Sequence, residues 1–244
     1  MITQPSYPLR GKRVVIVGGS SGIGLAAAKA AKCEGAEVTI IGRSEERLRT
    51  AAAQLGGAQT FAADVADRSS IESAIHAIGK FDHLVLTAGG IHAGLLAETD
   101  PEQLLIELTE HVAGSLYAVK AAVEHIQDTG SIVLMGGQFS DRPMGNGTSL
   151  MAMACRGIEA LARSLALELK PLRVNVIAPG FVDTPLYDAF GAEGRAEVLS
   201  KAASAIPVGR VGRPEEVGHA IVFLLTNGYM NCEVLHIDGG GRFV

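Results

Sequence analysis

Two hydrophobic periodicities alternate along this chain. Short unbroken apolar runs close on glycine or small polar residues, and between them lie longer stretches whose apolar positions recur at helical spacing. The first run ends at Val17 and opens into Gly18-Gly19-Ser20-Ser21-Gly22-Ile23-Gly24. A run apolar on both faces marks a buried parallel strand, and the Ala-rich stretch after it reads as a helix to about Cys33. Gly35 stops that helix. Further strands are predicted at 37–41, 59–63, 82–86, 130–135, 173–177 and 234–237, with helices at 44–55, 69–78, 149–169, 193–205 and 214–226. Asp67 supplies an N-cap for the helix over 69–78. Another helix starts at Asp100-Pro101, with aspartate as cap, proline in the first turn and Gln103 completing a capping box. Leu104, Leu105, Leu108, Val112, Leu116, Val119 and Val123 carry it on at helical spacing.

This alternation predicts an α/β fold: a single domain built on a Rossmann-type, doubly wound parallel sheet of seven strands flanked by helices. Residues 1–11, with two prolines and no periodicity, read as a loose lead-in. Every glycine-rich loop falls at the carboxyl end of a strand, where such sheets bind ligands. Glycines at 18, 22 and 24 let the backbone turn sharply and approach a ligand closely, and the helix that follows offers unpaired N–H groups to a pyrophosphate.

Composition narrows the classes. At 48% apolar and 19% charged residues the chain can bury a large core, and a net charge of −5 with scattered Lys and Arg argues against a nucleic-acid surface. No apolar run approaches a membrane span and the N-terminus lacks a signal-peptide pattern, so a cytoplasmic protein without a membrane partner is expected. Three cysteines, at 33, 155 and 232, are odd in number and far apart, which speaks against a disulfide framework. No metal site is expected.

The spacing Gly18-x-x-x-Gly22-x-Gly24 resembles the cofactor loop of the short-chain dehydrogenase/reductase family, with Val17 standing where that family usually has threonine. The resemblance runs through nearly the whole chain. Asp64-Val65 matches the acidic pair used at the adenine. Thr87-Ala88-Gly89 sits at the family's Asn-Asn-Ala-Gly, without the asparagines. Arg173 to Gly180 followed by Thr184 is similar to the nicotinamide-side loop, and Gly212-Arg213-Pro214 and Ile237-Asp238-Gly239-Gly240 match the C-terminal landmarks. It implies a dinucleotide site formed by Gly18, Ser20, Ser21, Gly22, Ile23, Gly24, Asp64, Val65, Thr87, Ala88, Gly89, Pro179, Gly180, Val182 and Thr184. It also implies a substrate lid over about 185–210. Members that use NAD usually carry an aspartate after the second strand. Here Gly42 occupies that place, and Arg43, with Ser44, can grip a 2′-phosphate, so NADP(H) is expected over NAD(H).

The same alignment changes all four positions of the family's Asn-Ser-Tyr-Lys tetrad. His111 stands at the asparagine, Gly137 at the serine, Met151 at the tyrosine and Cys155 at the lysine. A one-residue shift would put Gly136 or Gln138 at the serine, and no tyrosine lies between 118 and 186. A thioether at 151 cannot donate a proton. His111 and Cys155 are either an activated thiol–imidazole pair or a buried cysteine beside a hydrogen-bonded core histidine. Asp141, Arg142 and Asn146 border the expected substrate position, and Tyr187 follows Thr184 into the lid. The resemblance therefore implies an atypical NADP(H)-dependent oxidoreductase acting on a small carbonyl or alcohol with a non-standard proton donor. The alternative is a non-catalytic NADP(H)-binding protein, a nucleotide sensor or silent subunit. Assembly as a homotetramer or homodimer is expected, through the long helices near 101–126 and 149–169.

Overall fold

A computed structural model of the chain describes residues 8–244. Seven parallel strands form one sheet in the order β3-β2-β1-β4-β5-β6-β7. They are β1 (Arg13–Val17), β2 (Glu37–Gly42), β3 (Gln59–Ala62), β4 (Phe81–Leu86), β5 (Ile126–Met135), β6 (Arg173–Pro179) and β7 (Val234–Ile237). Helices α1 (Gly22–Cys33), α2 (Glu45–Gln54) and α8 (Pro214–Thr226) belong to one face. The other face carries α3 (Arg68–Ile78), α5 (Gly114–Ala122) and α6 (Ser149–Glu168). Two further helices, α4 (Pro101–Leu108) and α7 (Gly191–Ala205), follow β4 and β6 in the chain.

Side-chain alternation along β1 explains the two cores. Val15 and Val17 point toward Ile71, Ile75, Ala118 and Ile158, whereas Val14 and Ile16 point toward Ala27, Leu48, Val217 and Ile221. A central parallel strand is buried on both sides, which is why its sequence is apolar without interruption. On the α1–α8 side, small residues bring two helices into backbone contact. A β-carbon at Gly218 would stand 2.8 Å from the Ala26 carbonyl carbon.

Four expectations change. The helix from Asp100 is not regular: Thr109–Ala113 form a π-turn between α4 and α5, and the helix ends at Ala122. At its start Asp100 Oδ1 accepts the Glu102 N–H at 3.0 Å, and the Gln103 side chain closes no capping box. β5 begins at Ile126 instead of Gly130, because a register shift between Phe81 and His83 of β4 admits the polar segment 127–129. Of the expected loose lead-in, residues 1–7 lie outside the described residues, and the remainder is a packed turn. Leu9 is buried, and its N–H bonds to the Glu34 carbonyl at 3.1 Å. Gly35 and Asp67 terminate and cap as expected, with Gly35 at φ +88° and Asp67 Oδ1 accepting from Ser69 and Ser70. The three cysteines are free, and among the described residues no helix is long and apolar enough to cross a membrane.

Candidate functional site

At Gly18 and Gly24 the turn after β1 leaves no room for a side chain. A β-carbon at Gly18 would lie 2.6 Å from the Ala88 nitrogen, and one at Gly24 would lie 2.5 Å from Thr87 Oγ1. At the start of α1, Ser21 is extended and makes no side-chain capping hydrogen bond. The first N–H groups of α1 are therefore offered to whatever lies beyond the loop, a geometry suited to a pyrophosphate. Thr184, buried on the far side, closes this space: its Cβ would be 3.3 Å from a β-carbon at Gly22. These residues fit a dinucleotide.

Several expected ligand contacts have other partners. The Thr87 hydroxyl donates to the Val17 carbonyl at 2.9 Å, so it ties β4 to β1 and forms wall. Ser44 Oγ caps α2 by accepting the Arg47 N–H at 3.3 Å. Asp64 Oδ1 accepts the Ala66 N–H at 3.0 Å, which fixes its carboxylate at the end of β3. Val65 packs against Gly114, and Val182 is buried beside Gly212. Gly180 donates to the Ile237 carbonyl at 3.0 Å, continuing the β6–β7 pairing past Pro179.

Beyond β2, the exposed guanidinium of Arg43 reaches Glu110 in the π-turn, Nη1 to Oε1, at 3.5 Å. Glu110 is anchored from two more directions. Its Oε2 accepts the Gly90 N–H at 2.8 Å and lies 3.1 Å from His92 Nε2.

One residue along that turn, His111 turns its ring against the backbone of Gly89. Its Nε2 faces two acceptors, the Gly90 carbonyl at 3.2 Å and Glu107 Oε1 at 3.3 Å, so this nitrogen carries the proton. Glu107 is buried on α4, and its Oε2 accepts the His92 N–H at 3.0 Å. Burial lifts the Glu107 carboxyl above the usual carboxylate range, against the opposing pull of His111. Cys155, half-buried on α6, has its thiol pushed up to about 12 by burial and by the charges of Glu107 and Glu159. It is a neutral thiol at neutral pH. No hydrogen bond joins it to His111 among the described residues; the influence common to both is Glu107. Gly137 lies alongside, since a β-carbon there would stand 3.2 Å from Cys155 Sγ, and Met151 is buried one turn earlier on α6.

The loop after β5 is tied down. Asp141 contacts Arg156 Nη2 at 2.9 Å and His236 Nε2 at 2.8 Å, and Arg142 Nη1 donates to the Gly241 carbonyl at 3.2 Å. Asp141 and Arg142 are thus held by the protein itself, while Asn146 is exposed. Aromatic rings run from this loop to the lid: Phe139 meets Phe181 edge-on, Phe181 stacks on Tyr187, and Tyr187 stacks on Phe190, with centroids 6.3–6.4 Å apart. Burial pushes the Tyr187 phenol up to about 12. Sequence reading passed over Glu107, Glu110 and His92. A carboxylate between Leu104 and Leu108, on an otherwise apolar stripe, is the signal that would have marked Glu107.

Residues 17–241 match the family model described as enoyl-(acyl carrier protein) reductase. The chain is 35% identical over 241 residues to a human 3-oxoacyl-[acyl-carrier-protein] reductase, covering 96% of this chain and 99% of that one. It is 32% identical to the short-chain reductase NovJ of Streptomyces niveus, over 93% of this chain and 92% of that protein. Among solved structures, a small-chain dehydrogenase in complex with NADPH superposes with a TM-score of 0.84 at 31% identity, over 96% of this chain and 99% of that one. The MalC reductase/Diels-Alderase of Malbranchea aurantiaca superposes with a TM-score of 0.90 at 28% identity, over 98% and 100% of the two chains. With the sheet order, the glycine loop and these matches in hand, the chain belongs to the short-chain dehydrogenase/reductase family.

Proposed function

We propose that this protein is an NADP(H)-dependent oxidoreductase that moves hydride to or from a small carbonyl- or alcohol-bearing substrate and uses a non-standard proton donor. The observation that carries the reading is the uncapped N-terminus of α1 behind a turn whose Gly18 and Gly24 leave no room for a side chain. The reductase names of the relatives and the NADPH complex of a structural neighbour support it. When bound, the nicotinamide supplies or accepts the hydride. Arg43 grips the 2′-phosphate, the α1 N–H groups hold the pyrophosphate, and Thr184 orients the nicotinamide end. His111 holds a proton on Nε2 between Glu107 and Gly90 and serves as that donor, with Cys155, a loop residue or water as the alternatives, since the Met151 thioether has no proton to give. Residues 185–210 form a lid whose aromatic row receives the apolar body of the substrate. Titration calorimetry with NADPH and NADH, followed by NADPH oxidation against a panel of ketones and activated carbonyls, tests this. Absence of binding by either cofactor overturns it.

Met151 and the neutral thiol also favour a second reading, a non-catalytic NADP(H)-binding sensor or silent subunit. Tight NADPH binding with no turnover across the whole panel would select it.

A further inference from the structure

The Arg43 side chain already has an anionic partner. Glu110 Oε1 lies 3.5 Å from Arg43 Nη1. The two ends of this pair differ in freedom. The Glu110 side chain is only 10% exposed and is fixed by Gly90 and His92, whereas the Arg43 side chain is 61% exposed and projects from the loop after β2. An anchored anion facing an exposed cation acts on where that cation rests. A guanidinium serves two acceptors only by dividing its N–H groups between them, and a phosphate gains most from the whole fork. The wall of a pocket suited to a polyanion is moreover a costly place for a carboxylate with so little access to water.

We propose that Glu110 is a specificity-determining residue: by holding the Arg43 guanidinium it reduces the preference for a 2′-phosphorylated cofactor that Arg43 confers. This rests on the reading above that Arg43 receives the 2′-phosphate. Glu110 thereby sets a moderate NADP(H) preference where Arg43 alone would set a strong one. His92 shares Oε2 of the same carboxylate and keeps it oriented toward the pocket.

The test is titration calorimetry of the full-length protein with NADPH, NADH, 2′,5′-ADP and ADP. The variants are Arg43→Ala, Glu110→Gln and the double variant. The amide introduced by Glu110→Gln retains an acceptor for the Gly90 N–H. A long, half-exposed ion pair of this geometry predicts a two- to fivefold tightening of NADPH and 2′,5′-ADP, roughly, in Glu110→Gln. NADH and ADP should be unchanged, and the gain should vanish in the Arg43→Ala background. An unchanged or weakened NADPH affinity in Glu110→Gln, with Arg43→Ala still losing the preference, overturns the role of Glu110 and leaves the reading of Arg43 intact. A gain that persists without Arg43 also overturns it, because the carboxylate would then act on the phosphate directly. If Arg43→Ala binds NADPH as the parent does, the cofactor assignment falls and this inference with it. Should Glu110→Gln not fold, Glu110→Asp, which withdraws the charge from Arg43, gives the same readout at smaller size, and no gain there is a refutation.

Discussion

The imidazole of His111 stands where a side chain on Gly89 would have to go. A β-carbon at Gly89 would overlap the ring carbon Cε1 and lie 2.5 Å from Nε2, and Gly89 holds φ at +150°. Gly89→Ala should therefore cost about 1–3 kcal/mol by overpacking. Most of that loss should disappear in a His111→Ala background, leaving the backbone contribution. Chemical denaturation of the four proteins gives the coupling. Equal losses in both backgrounds would show that the ring does not set the requirement for glycine.

His83 makes stability depend on pH. It is buried beside Ser131, its Nδ1 2.9 Å from Oγ, and burial lowers its pKa from 6.5 to about 4. The unfolded chain takes up this proton near 6.5 while the folded chain resists until about 4. Stability is thus fully present above 6.5 and is lost as pH falls toward 4, by about 3 kcal/mol from this group. His83→Gln should flatten the fall between those limits in denaturation midpoints measured across pH. An unaltered slope would assign it to other groups.

Gly137, Met151 and Cys155 form one patch at the end of β5 and the start of α6. Gly137→Ser, Met151→Tyr and Cys155→Lys together should raise ketone reduction by about 10²–10⁴-fold if a proton donor is all the site lacks. Glu107 would stand near the new ammonium as a counter-charge. Steady-state assays with a ketone panel measure it. No gain, with NADPH still bound, would mean that the pocket does not admit a carbonyl and would favour the sensor reading.

Assembly should use the α5–α6 layer. Leu116 on α5, Val123 just past its end, and Met153 and Leu167 on α6 are exposed apolar side chains. A homotetramer or homodimer is expected by light scattering at micromolar concentration, and Met153→Glu with Leu167→Glu should yield a smaller species. A monomeric parent protein would refute this.

Strand positions were legible because buried parallel strands leave unbroken apolar runs, and the glycine loop was legible because its spacing follows from backbone crowding. The π-turn was not. An i→i+5 turn leaves apolar residues close to helical spacing, so Leu108 and Val112 read as one continuous stripe. Leu9 was missed because a single buried residue in a short turn has no period. For Thr87, residue type does not reveal that its hydroxyl already donates to the Val17 carbonyl. Glu107 and Glu110 were missed because acids on a helix are usually solvated, and only tertiary packing shows these two turned inward.

That π-turn also divides one helix into two parts with separate phase. Each residue advances a helix by about 100°, so the extra residue sets the angular position of α4 independently of α5. Removing one residue from Thr109–Ala113 would leave the alanines of α5 seated on the sheet. It would swing Glu107 away from the pocket like a dial moved by one notch, with the segment 91–100 taking up the slack. The acidic side of the site can therefore be re-aimed by a change in length alone, without touching the core that holds the sheet together.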